Sequence, residues 1–293
     1  MEKVLLVGGA GFIGKAIAAK LTKLGIDFEV VDIRPGRTKT DIVKDDLEAI
    51  FQRFKPSTVV HLAAQIDVRE SFVNPVHDLD VNILGTVRLL EAANKAQCRN
   101  FVYIASGGAI YDSDGILPHK ENAHQLPVSP YGVSKGAAEE YVRVLSTKYG
   151  SHWSSLALSN CYGPVREHGR GVIYQFWRAI SQKEIAKIYG PEVTRDFVHV
   201  EDVADAICLA IQKPVNRRIN ISSNTEISLI DLYQMIAAEL GSSLAPEMHG
   251  ANPGEVLRSK LDNSLALELL GWAPRIDLEA GIKAALSSNG THQ

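Results

Sequence analysis

The stretch from Val4 to Gly14 reads VLLVGGAGFIG, and it decides the fold of this chain. Four residues with the composition of a buried strand lead into three regularly spaced glycines, and a helical pattern of apolar residues follows over 12–24. We expect Gly8 to supply the unusual backbone angles of a tight turn, Gly11 to let the main chain approach a pyrophosphate, and Gly14 to let the helix pack against the sheet. The stretch therefore predicts a phosphate-binding turn at the N-terminus of a helix, where backbone amides and the helix dipole favour an anion.

An acidic residue ends the next predicted strand, FEVVD, at position 32. The Asp32 carboxylate can accept hydrogen bonds from both hydroxyls of an adenosine ribose, and it would repel a 2′-phosphate at the same place. The pattern therefore predicts NAD rather than NADP as the cofactor. Arg34 and Arg37 leave NADP as an alternative, because either guanidinium could neutralise an additional phosphate.

The length, charge and composition of the chain restrict the classes of protein to which it can belong. The chain has 293 residues, 45% of them hydrophobic, which is enough for one large domain or two closely joined domains. Its net charge of −3 argues against a nucleic-acid partner, which would require a broad basic surface. No apolar run approaches the ~20 residues that cross a bilayer. The first residues lack the apolar region of a signal peptide, so we expect a cytoplasmic protein without a membrane span.

Cysteine and histidine residues give no metal-binding pattern. The three cysteines are widely separated and have no CxxC spacing, which is typical of structural thiols in a reducing compartment. The nine histidines show no HExxH or other paired spacing. We predict that the protein holds no metal.

The alternation of strand and helix patterns predicts an α/β protein with a Rossmann-type, doubly wound parallel sheet. The strands are expected at 4–7, 28–32, 58–62, 101–105, 154–159 and 218–221. After position 160 the alternation loosens and glycine and proline become frequent, which indicates a smaller, interleaved C-terminal substrate lobe. We assign residues 1–159 and 196–221 to an NAD-binding lobe, and residues 160–195 and 222–293 to the substrate lobe.

Two long amphipathic patterns, over 76–96 and 130–149, predict helices that cross the whole sheet. Apolar residues on their outer faces would let them pair with the same helices of a second chain. We therefore predict a homodimer through these two helices.

The segment SPYGVSK places Tyr131 and Lys135 four positions apart, on one face of the second helix. A tyrosine alone is a poor base at neutral pH, since its ordinary pKa is about 10. A nearby ammonium and a nicotinamide cation would both favour the phenolate. The pair is therefore a candidate for removing the proton of a substrate hydroxyl.

The chain resembles the extended short-chain dehydrogenase/reductase family, and within it the nucleotide-sugar epimerases and dehydratases. The resemblance extends over nearly the whole chain, and its motifs occur in the family's order. They are GGAGFIG (8–14), HLAAQ (61–65), VNILGT (81–86), ASGGAIY (105–111), SPYGVSK (129–135), NCYGP (160–164), TRDFVHVEDVADA (194–206) and PGEVLRSKLD (253–262).

The resemblance implies roles for individual residues. Ser106 would complete a catalytic triad with Tyr131 and Lys135, and Asn82 would brace the sheet beside them. The cofactor would contact Gly8, Gly11, Phe12, Ile13, Gly14, Asp32, Asp46, Leu47, Ala63, Ala64, Tyr131 and Lys135. The substrate would contact Ser106, Asn160, Arg195 and Arg258, the last three through its diphosphate. Because ASGGAIY is one residue longer than the family's usual segment, we expect a bulge at Gly107–Gly108.

The same segment favours one reaction of the family over others. Family dehydratases have an Asp-Glu pair just after the catalytic hydroxyl residue, because expelling water requires a separate acid and base. Gly108 and Ala109 occupy those positions here. The sequence therefore predicts an NAD-dependent epimerase of a nucleoside-diphosphate sugar, in particular a UDP-hexose 4-epimerase. The alternatives are an NAD(P)H-dependent reductase of nucleotide 4-keto sugars and a non-catalytic dinucleotide-binding sensor or assembly factor.

The chain departs from the family's pattern in three places. Ala157 and Leu158 stand where relatives have arginine and an aromatic residue, so contacts near the nicotinamide would differ. Asn252 replaces an arginine before the PGE segment, which would leave the diphosphate one cation fewer. Asp112 replaces a glycine after Tyr111, which would tighten the loop over the substrate.

Overall fold

Seven parallel strands form the central sheet in the computed structural model, which describes residues 2–34, 38–165, 169, 171–252 and 255–287. The strands are β1 (Lys3–Val7), β2 (Asp27–Asp32), β3 (Thr38–Lys39), β4 (Thr58–His61), β5 (Asn100–Ser106), β6 (His152–Leu158), β7 (Asn160–Tyr162), β8 (Lys187–Tyr189), β9 (Thr194–His199), β10 (Arg218–Ile221), β11 (Glu226–Ser228) and β12 (Glu247–His249). The order in the central sheet is β10-β6-β5-β4-β1-β2-β3, and every neighbouring pair is parallel. The predicted doubly wound fold is confirmed.

Helices cover both faces of this sheet. The helices along the chain are α1 (Phe12–Lys23), α2 (Glu48–Phe54), α3 (Val68–Val73), α4 (Pro75–Leu79), α5 (Gly85–Lys95), α6 (Gly107–Ile110), α7 (Pro130–Tyr149), α8 (Val172–Ser181), α9 (Val200–Gln212), α10 (Leu229–Glu239), α11 (Ser264–Leu270) and α12 (Leu278–Ser287), of which α8, α10 and α12 pack in a separate cluster. Leu6 of β1 faces a core with α1 and α9, whereas Leu5 faces a second core with α5 and α7. Because successive strand side chains point to opposite faces, the apolar run of β1 is buried on both sides.

Helix α7 begins and ends where the sequence predicts. The Ser129 hydroxyl accepts a hydrogen bond from the Gly132 amide at 3.1 Å, and Pro130 occupies the first helical position. Gly150 ends the helix with a φ of 71°, a conformation that favours glycine. These caps fix the first turn of the helix, which carries Tyr131.

The predicted helix over 76–96 contains a π-helical turn. Its middle, Asp80–Leu84, is a π-helical turn between α4 and α5. Thr86 donates a 2.6 Å hydrogen bond to the carbonyl of Asn82, and Asn82 itself is buried. The chain is helical from Pro75 to Lys95, close to the predicted bounds, and the π-turn inside this helix, which the pattern did not indicate, redirects the side chain of Asn82.

A third apolar cluster lies outside the central sheet. It joins side chains of α8, α10 and α12 to two small sheets, β11-β9-β7 and β12-β8. Its centre contains Ile188, Leu232 and Ile236, all fully buried. Strand β9 pairs with both β7 and β11, so the chain between 194 and 199 connects this cluster to the end of the main sheet.

The three cysteines, Cys98, Cys161 and Cys208, are free thiols, and Cys98 and Cys208 are buried in the two cores. Within the ranges given above, no helix has the length and apolar composition that crossing a membrane requires.

A buried ion pair ties the edge of the sheet to α7. The guanidinium of Arg218 on β10 donates two 2.7 Å hydrogen bonds to the carboxylate of Glu139 on α7. It donates a third, at 3.2 Å, to the carbonyl of Glu121. Only 3% of the Glu139 side chain and 11% of the Arg218 side chain are exposed, so neither charge is compensated by bulk water.

Replacing Arg218 with methionine should destabilise the fold strongly, because it leaves the Glu139 carboxylate buried without its cation. We expect the free energy of unfolding to fall by about 3–5 kcal/mol, measured by urea denaturation at neutral pH. The control is Arg143→Met, which removes the exposed pair with Glu140 on the same helix and should cost less than about 1 kcal/mol. Equal losses in the two variants would contradict this account.

Candidate active site

The glycine turn after β1 leaves no room for side chains. Gly8 has a φ of +82°, and a Cβ there would lie 2.5 Å from the amide nitrogen of Ala63. A Cβ on Gly11 would lie 3.1 Å from the carbonyl oxygen of Gly8. Gly14 was expected to pack on the sheet, but its Cβ would lie 2.4 Å from the carbonyl oxygen of Gly9, so it packs on the turn itself. The turn is thus bare backbone at the start of α1, which fits the pyrophosphate of a dinucleotide.

The Asp32 carboxylate lies at the C-terminal end of β2, and both of its oxygens already accept hydrogen bonds. It accepts hydrogen bonds of 3.0 Å from the Ala10 amide, 3.0 Å from the Arg34 amide, and 3.0 and 3.2 Å from the Arg34 guanidinium. Burial raises the pKa of Asp32, but the bonds from Arg34 and Ala10 outweigh it, so that the pKa is lowered overall. An adenosine ribose would have to displace the Arg34 guanidinium, whose side chain is 56% exposed. Arg37 lies outside the described residues.

The other predicted cofactor residues differ in their surroundings. Leu47 is buried in a core, and Asp46 is exposed, with its carboxylate accepting a 2.9 Å hydrogen bond from the Glu48 amide at the start of α2. Ala63 and Ala64 are half-buried and follow β4, beside Gly8. In the first turn of α1, Phe12 is 45% exposed and Ile13 is half-buried.

Tyr131 and Ser106 come together where α7 begins and β5 ends. Burial raises the pKa of Tyr131, the Ser106 hydroxyl bonded to it lowers the value in part, and the charge of Asp78 raises it again. The protein's own groups therefore favour the neutral phenol. A phenolate at this position requires additional positive charge close by.

Lys135 is buried one helical turn after Tyr131. Its ammonium lies 4.3 Å from the centre of the Tyr103 ring, and the residue is only 4% exposed. Burial lowers the pKa of Lys135 to about 7, although Glu139 and Asp78 raise it in part. Near neutral pH the lysine can therefore lose or regain a proton, and its charge depends on the carboxylates around it.

The helical turn after Ser106 corrects one expectation. Gly107–Ile110 forms α6, a single turn of helix, where we expected a bulge at Gly107–Gly108. A Cβ on Gly107 would lie 2.4 Å from the Leu261 side chain, and one on Gly108 would lie 3.5 Å from the Asn160 side chain. The extra residue is absorbed by the helical turn, which brings Asn160 next to the backbone that follows Ser106.

A buried amide connects Tyr131 to a carboxylate that the sequence analysis missed. The Asn82 side chain accepts a 2.9 Å hydrogen bond from the Gln65 amide and donates one of 3.0 Å to the Ser134 hydroxyl. Ser134 in turn donates to the Tyr131 carbonyl at 3.0 Å. Asn82 also donates to the carboxylate of Asp78 at 3.1 Å. The spacing of four between Asp78 and Asn82 on one predicted helix was a signal that could have identified this acid.

The three predicted diphosphate ligands lie toward the third cluster. Arg195 donates 2.8 and 2.7 Å hydrogen bonds to the carbonyls of Thr194 and Val256, and its guanidinium is 2.9 Å from the Glu255 carboxylate. Arg258, which is exposed, forms two 2.8 Å hydrogen bonds with Glu226. Burial lowers the pKa of Arg195 despite Glu255, whereas the bond to Glu226 raises the pKa of Arg258.

The three departures from the family's pattern have ordinary surroundings. Ala157 and Leu158 are buried in β6, opposite Ala105 and Ser106 of β5. Asn252 donates a 3.1 Å hydrogen bond to Glu255, the same acid that holds Arg195. Asp112 accepts a 3.0 Å hydrogen bond from the Asp114 amide within its own loop.

Comparison with known proteins identifies the family of this chain. Residues 4–222 match the family described as NAD dependent epimerase/dehydratase. The chain belongs to this family. It is 37% identical to the UDP-glucose 4-epimerase of Mycolicibacterium smegmatis, over 96% of both chains.

Two solved structures extend the likeness to this epimerase/dehydratase fold. The UDP-glucose 4-epimerase of Thermotoga maritima with UDP-glucose superposes with a TM-score of 0.94, at 32% identity and 98% coverage of both chains. The UDP-glucose 4-epimerase of Thermus thermophilus in complex with NAD superposes with a TM-score of 0.90, at 30% identity and 99% coverage of both chains. As a member of an NAD-dependent family, the chain uses NAD, and the bare turn and Asp32 fit that cofactor.

The described residues contain no candidate metal-binding cluster. Among the residues that the structure describes, no three His, Cys, Asp or Glu side chains are grouped as they would be around a metal ion.

Replacing Ser106 with alanine should raise the pKa of Tyr131, because it removes the hydroxyl that favours the phenolate. The measurement is an ultraviolet titration of tyrosinate in the NAD-loaded protein, with the curve of Tyr131→Phe subtracted to remove the other tyrosines. We expect the midpoint of the difference curve to move to higher pH. An unchanged midpoint would show that Ser106 does not bond the phenol.

Proposed function

We propose that this chain is an NAD-dependent 4-epimerase of a UDP-hexose that acts through a transient 4-keto sugar. The observation that carries the proposal is the bond between Tyr131 and Ser106 at the end of β5, with Lys135 buried one helical turn after Tyr131 and with Gly108 and Ala109 where a dehydratase needs its acid and base. The epimerase identity of the relatives supports it.

Tyr131 acts as the base in this proposal. Its phenolate takes the proton of the sugar hydroxyl and later returns it, while the Ser106 hydroxyl bonds the same sugar oxygen. Lys135, as an ammonium, stabilises the phenolate from the buried side. Bound NAD supplies reversible hydride transfer with the carbinol carbon. The triad thus moves one proton out and one back, which leaves the sugar changed only in configuration.

The proposed substrate lobe consists of residues 160–195 and 222–293, and the proposed NAD-binding lobe consists of residues 1–159 and 196–221. The third apolar cluster supports this division, since most of its members lie in the first set. We assign the diphosphate to Asn160, Arg195 and Arg258, which border this cluster. Arg258 is 59% exposed and can leave Glu226 for a phosphate, whereas the 14% exposed Arg195 is held by two carbonyls and Glu255.

Epimerase activity should appear without any added cofactor. We expect purified protein to convert UDP-glucose and UDP-galactose into one another, because the hydride returns to the sugar and NAD is regenerated in each cycle. Tyr131→Phe should lose at least about 100-fold in kcat, the usual contribution of a positioned base. Anion-exchange chromatography or proton NMR of the sugars measures both.

The controls separate the alternative functions. Strict dependence on added NADPH, with a 4-keto sugar as substrate, would favour the reductase. Turnover that survives in Tyr131→Phe would overturn the proposed base. No turnover of any nucleotide sugar, with NAD still bound, would favour the sensor or assembly factor.

We propose further that the protein is a homodimer in which α4, α5 and α7 of two chains pack together. Large apolar side chains on α4 and α7 are exposed, including Val76 at 71%, Leu79 at 50%, Val133 at 53% and Val144 at 49%. They flank an apolar cavity of about 520 Å³ between α4 and the start of α7. A monomer seldom leaves so many apolar groups of neighbouring helices in water.

Replacing Val76 and Val144 together with aspartate should convert the dimer to a monomer, because two charges per chain would be buried in the interface. Sedimentation velocity measures the change in mass. The control is Ile185→Asp, since Ile185 is 62% exposed but lies between α8 and β8. Dissociation by Ile185→Asp, or a wild-type monomer, would contradict the proposed interface.

A further inference from the structure

Asp78 is a buried carboxylate beside the triad that the proposed chemistry does not use. It lies on α4 and is 1% exposed. Its Oδ1 atom accepts hydrogen bonds of 3.0 Å from the Gln65 side chain and 3.1 Å from the Asn82 side chain. Both partners are neutral amides, and among the described residues no cation lies within salt-bridge distance of this acid. A buried negative charge without a contact cation is costly, so its presence requires an explanation.

The second carboxylate near the lysine is paired with a cation. Glu139 follows Lys135 by one turn of α7, but both of its oxygens bind the Arg218 guanidinium at 2.7 Å. The charge of Glu139 nevertheless raises the pKa of Lys135, and it is the larger of two carboxylate contributions. Asp78 makes the other contribution, and of these two carboxylates it is the one without a contact cation among the described residues.

The remaining groups around Lys135 do not replace Asp78. The Tyr103 ring below the ammonium is neutral, because burial raises the pKa of Tyr103 well above its ordinary value. His61 on β4 is also neutral, since burial and the charge of Lys135 lower its pKa to about 3. Tyr131, the proposed base, is also neutral in this environment, because burial raises its pKa. Besides Asp78 and the paired Glu139, these neighbours add no negative charge around the lysine.

We propose that Asp78 is a positioning residue that keeps Lys135 cationic beside Tyr131 and, through Asn82 and Ser134, holds the first turn of α7. This inference rests on the proposed function of the triad. The Asp78 carboxylate has two effects: its negative charge acts on the buried ammonium, and its oxygen is an acceptor that orients the amide of Asn82 toward Ser134.

The sign of the electrostatic effect follows from the charge. Asp78 raises the pKa values of both Lys135 and Tyr131, since a negative neighbour favours a cation and disfavours a phenolate. The loss of its charge should lower both values. Because Lys135 and Tyr131 interact, the acidic and alkaline limbs of the pH-rate profile report apparent pKa values of the coupled pair and not of either residue alone. Both limbs should move in the same direction.

The test is the pH dependence of kcat in Asp78→Asn, which keeps an acceptor oxygen for Gln65 and Asn82 but removes the charge. We expect both limbs to move to lower pH by about one unit, so that the loss of activity relative to wild type grows about tenfold on the alkaline side. A role limited to packing would lower kcat at all pH values and leave both limbs in place. Limbs that do not move, or that move to higher pH, would overturn the proposal.

Two further measurements make the result unambiguous. Asp80→Asn removes a carboxylate two residues along the same helical stretch and should leave the profile unchanged. Tyrosinate titration of NAD-loaded Asp78→Asn, with the curve of the Asp78→Asn/Tyr131→Phe double variant subtracted, should give a lower midpoint than wild type. This titration requires no turnover, so it tests Asp78 even if the protein proves to epimerise no UDP-hexose.

Asp78→Ser provides a second variant in case the asparagine form does not fold. It removes the same charge in a smaller side chain and leaves space for water, and it should give the same displacement of both limbs. Melting temperatures of all variants establish that the folded protein is compared. Opposite displacements in the asparagine and serine variants would also reject a charge effect.

Discussion

The structure of the site depends on one constraint, the burial of a lysine ammonium against a tyrosine ring. Lys135 is 4% exposed and lies 4.3 Å from the centre of the Tyr103 ring. A buried ammonium tends to lose its proton, and this one has a pKa of about 7 for that reason. The surrounding carboxylates decide how much of its charge remains. The buried pair of Glu139 and Arg218, the isolated Asp78 and the neutral His61 can be understood as parts of this charge balance.

The fold was predictable from sequence because its signals are local. The run from Val4 to Gly14 specifies a strand, a turn and a helix by composition alone, and Ser129, Pro130 and Gly150 specify both ends of α7. The prediction failed at Gly107–Gly108, where the chain forms a helical turn, and it did not foresee the π-helical turn inside the helix over 76–96. In both places tertiary contacts decide the backbone, through Asn82 with Ser134 and through Gly107 with Leu261, and these partners are distant in sequence.

The residues of the candidate site also differ in whether a local sequence pattern or tertiary packing brings them together. Tyr131 and Lys135 are four residues apart on one helix, so their proximity follows from helix geometry. Ser106 reaches them only because β5 and α7 pack together, and the resemblance to a family rather than any spacing identified it. Asp78 and Arg218 stayed unrecognised because their effects pass through Asn82 and Glu139. A charge that acts through another residue leaves no local pattern in a sequence.

The charged residues assigned to ligands already form ion pairs within the chain. Asp32 is bonded to Arg34, Arg195 to Glu255, and Arg258 to Glu226. A ligand that binds at these positions must therefore replace an ion-pair partner.

The free-energy cost of this replacement depends on how exposed the ion pair is. The exposed side chains of Arg34 and Arg258 can be released at little cost, because water screens such pairs. Arg195 is 14% exposed and bonds two carbonyls, so it should keep Glu255 and present its remaining N–H groups to a phosphate. Asn252, which bonds the same glutamate, helps to hold that orientation where relatives have another arginine.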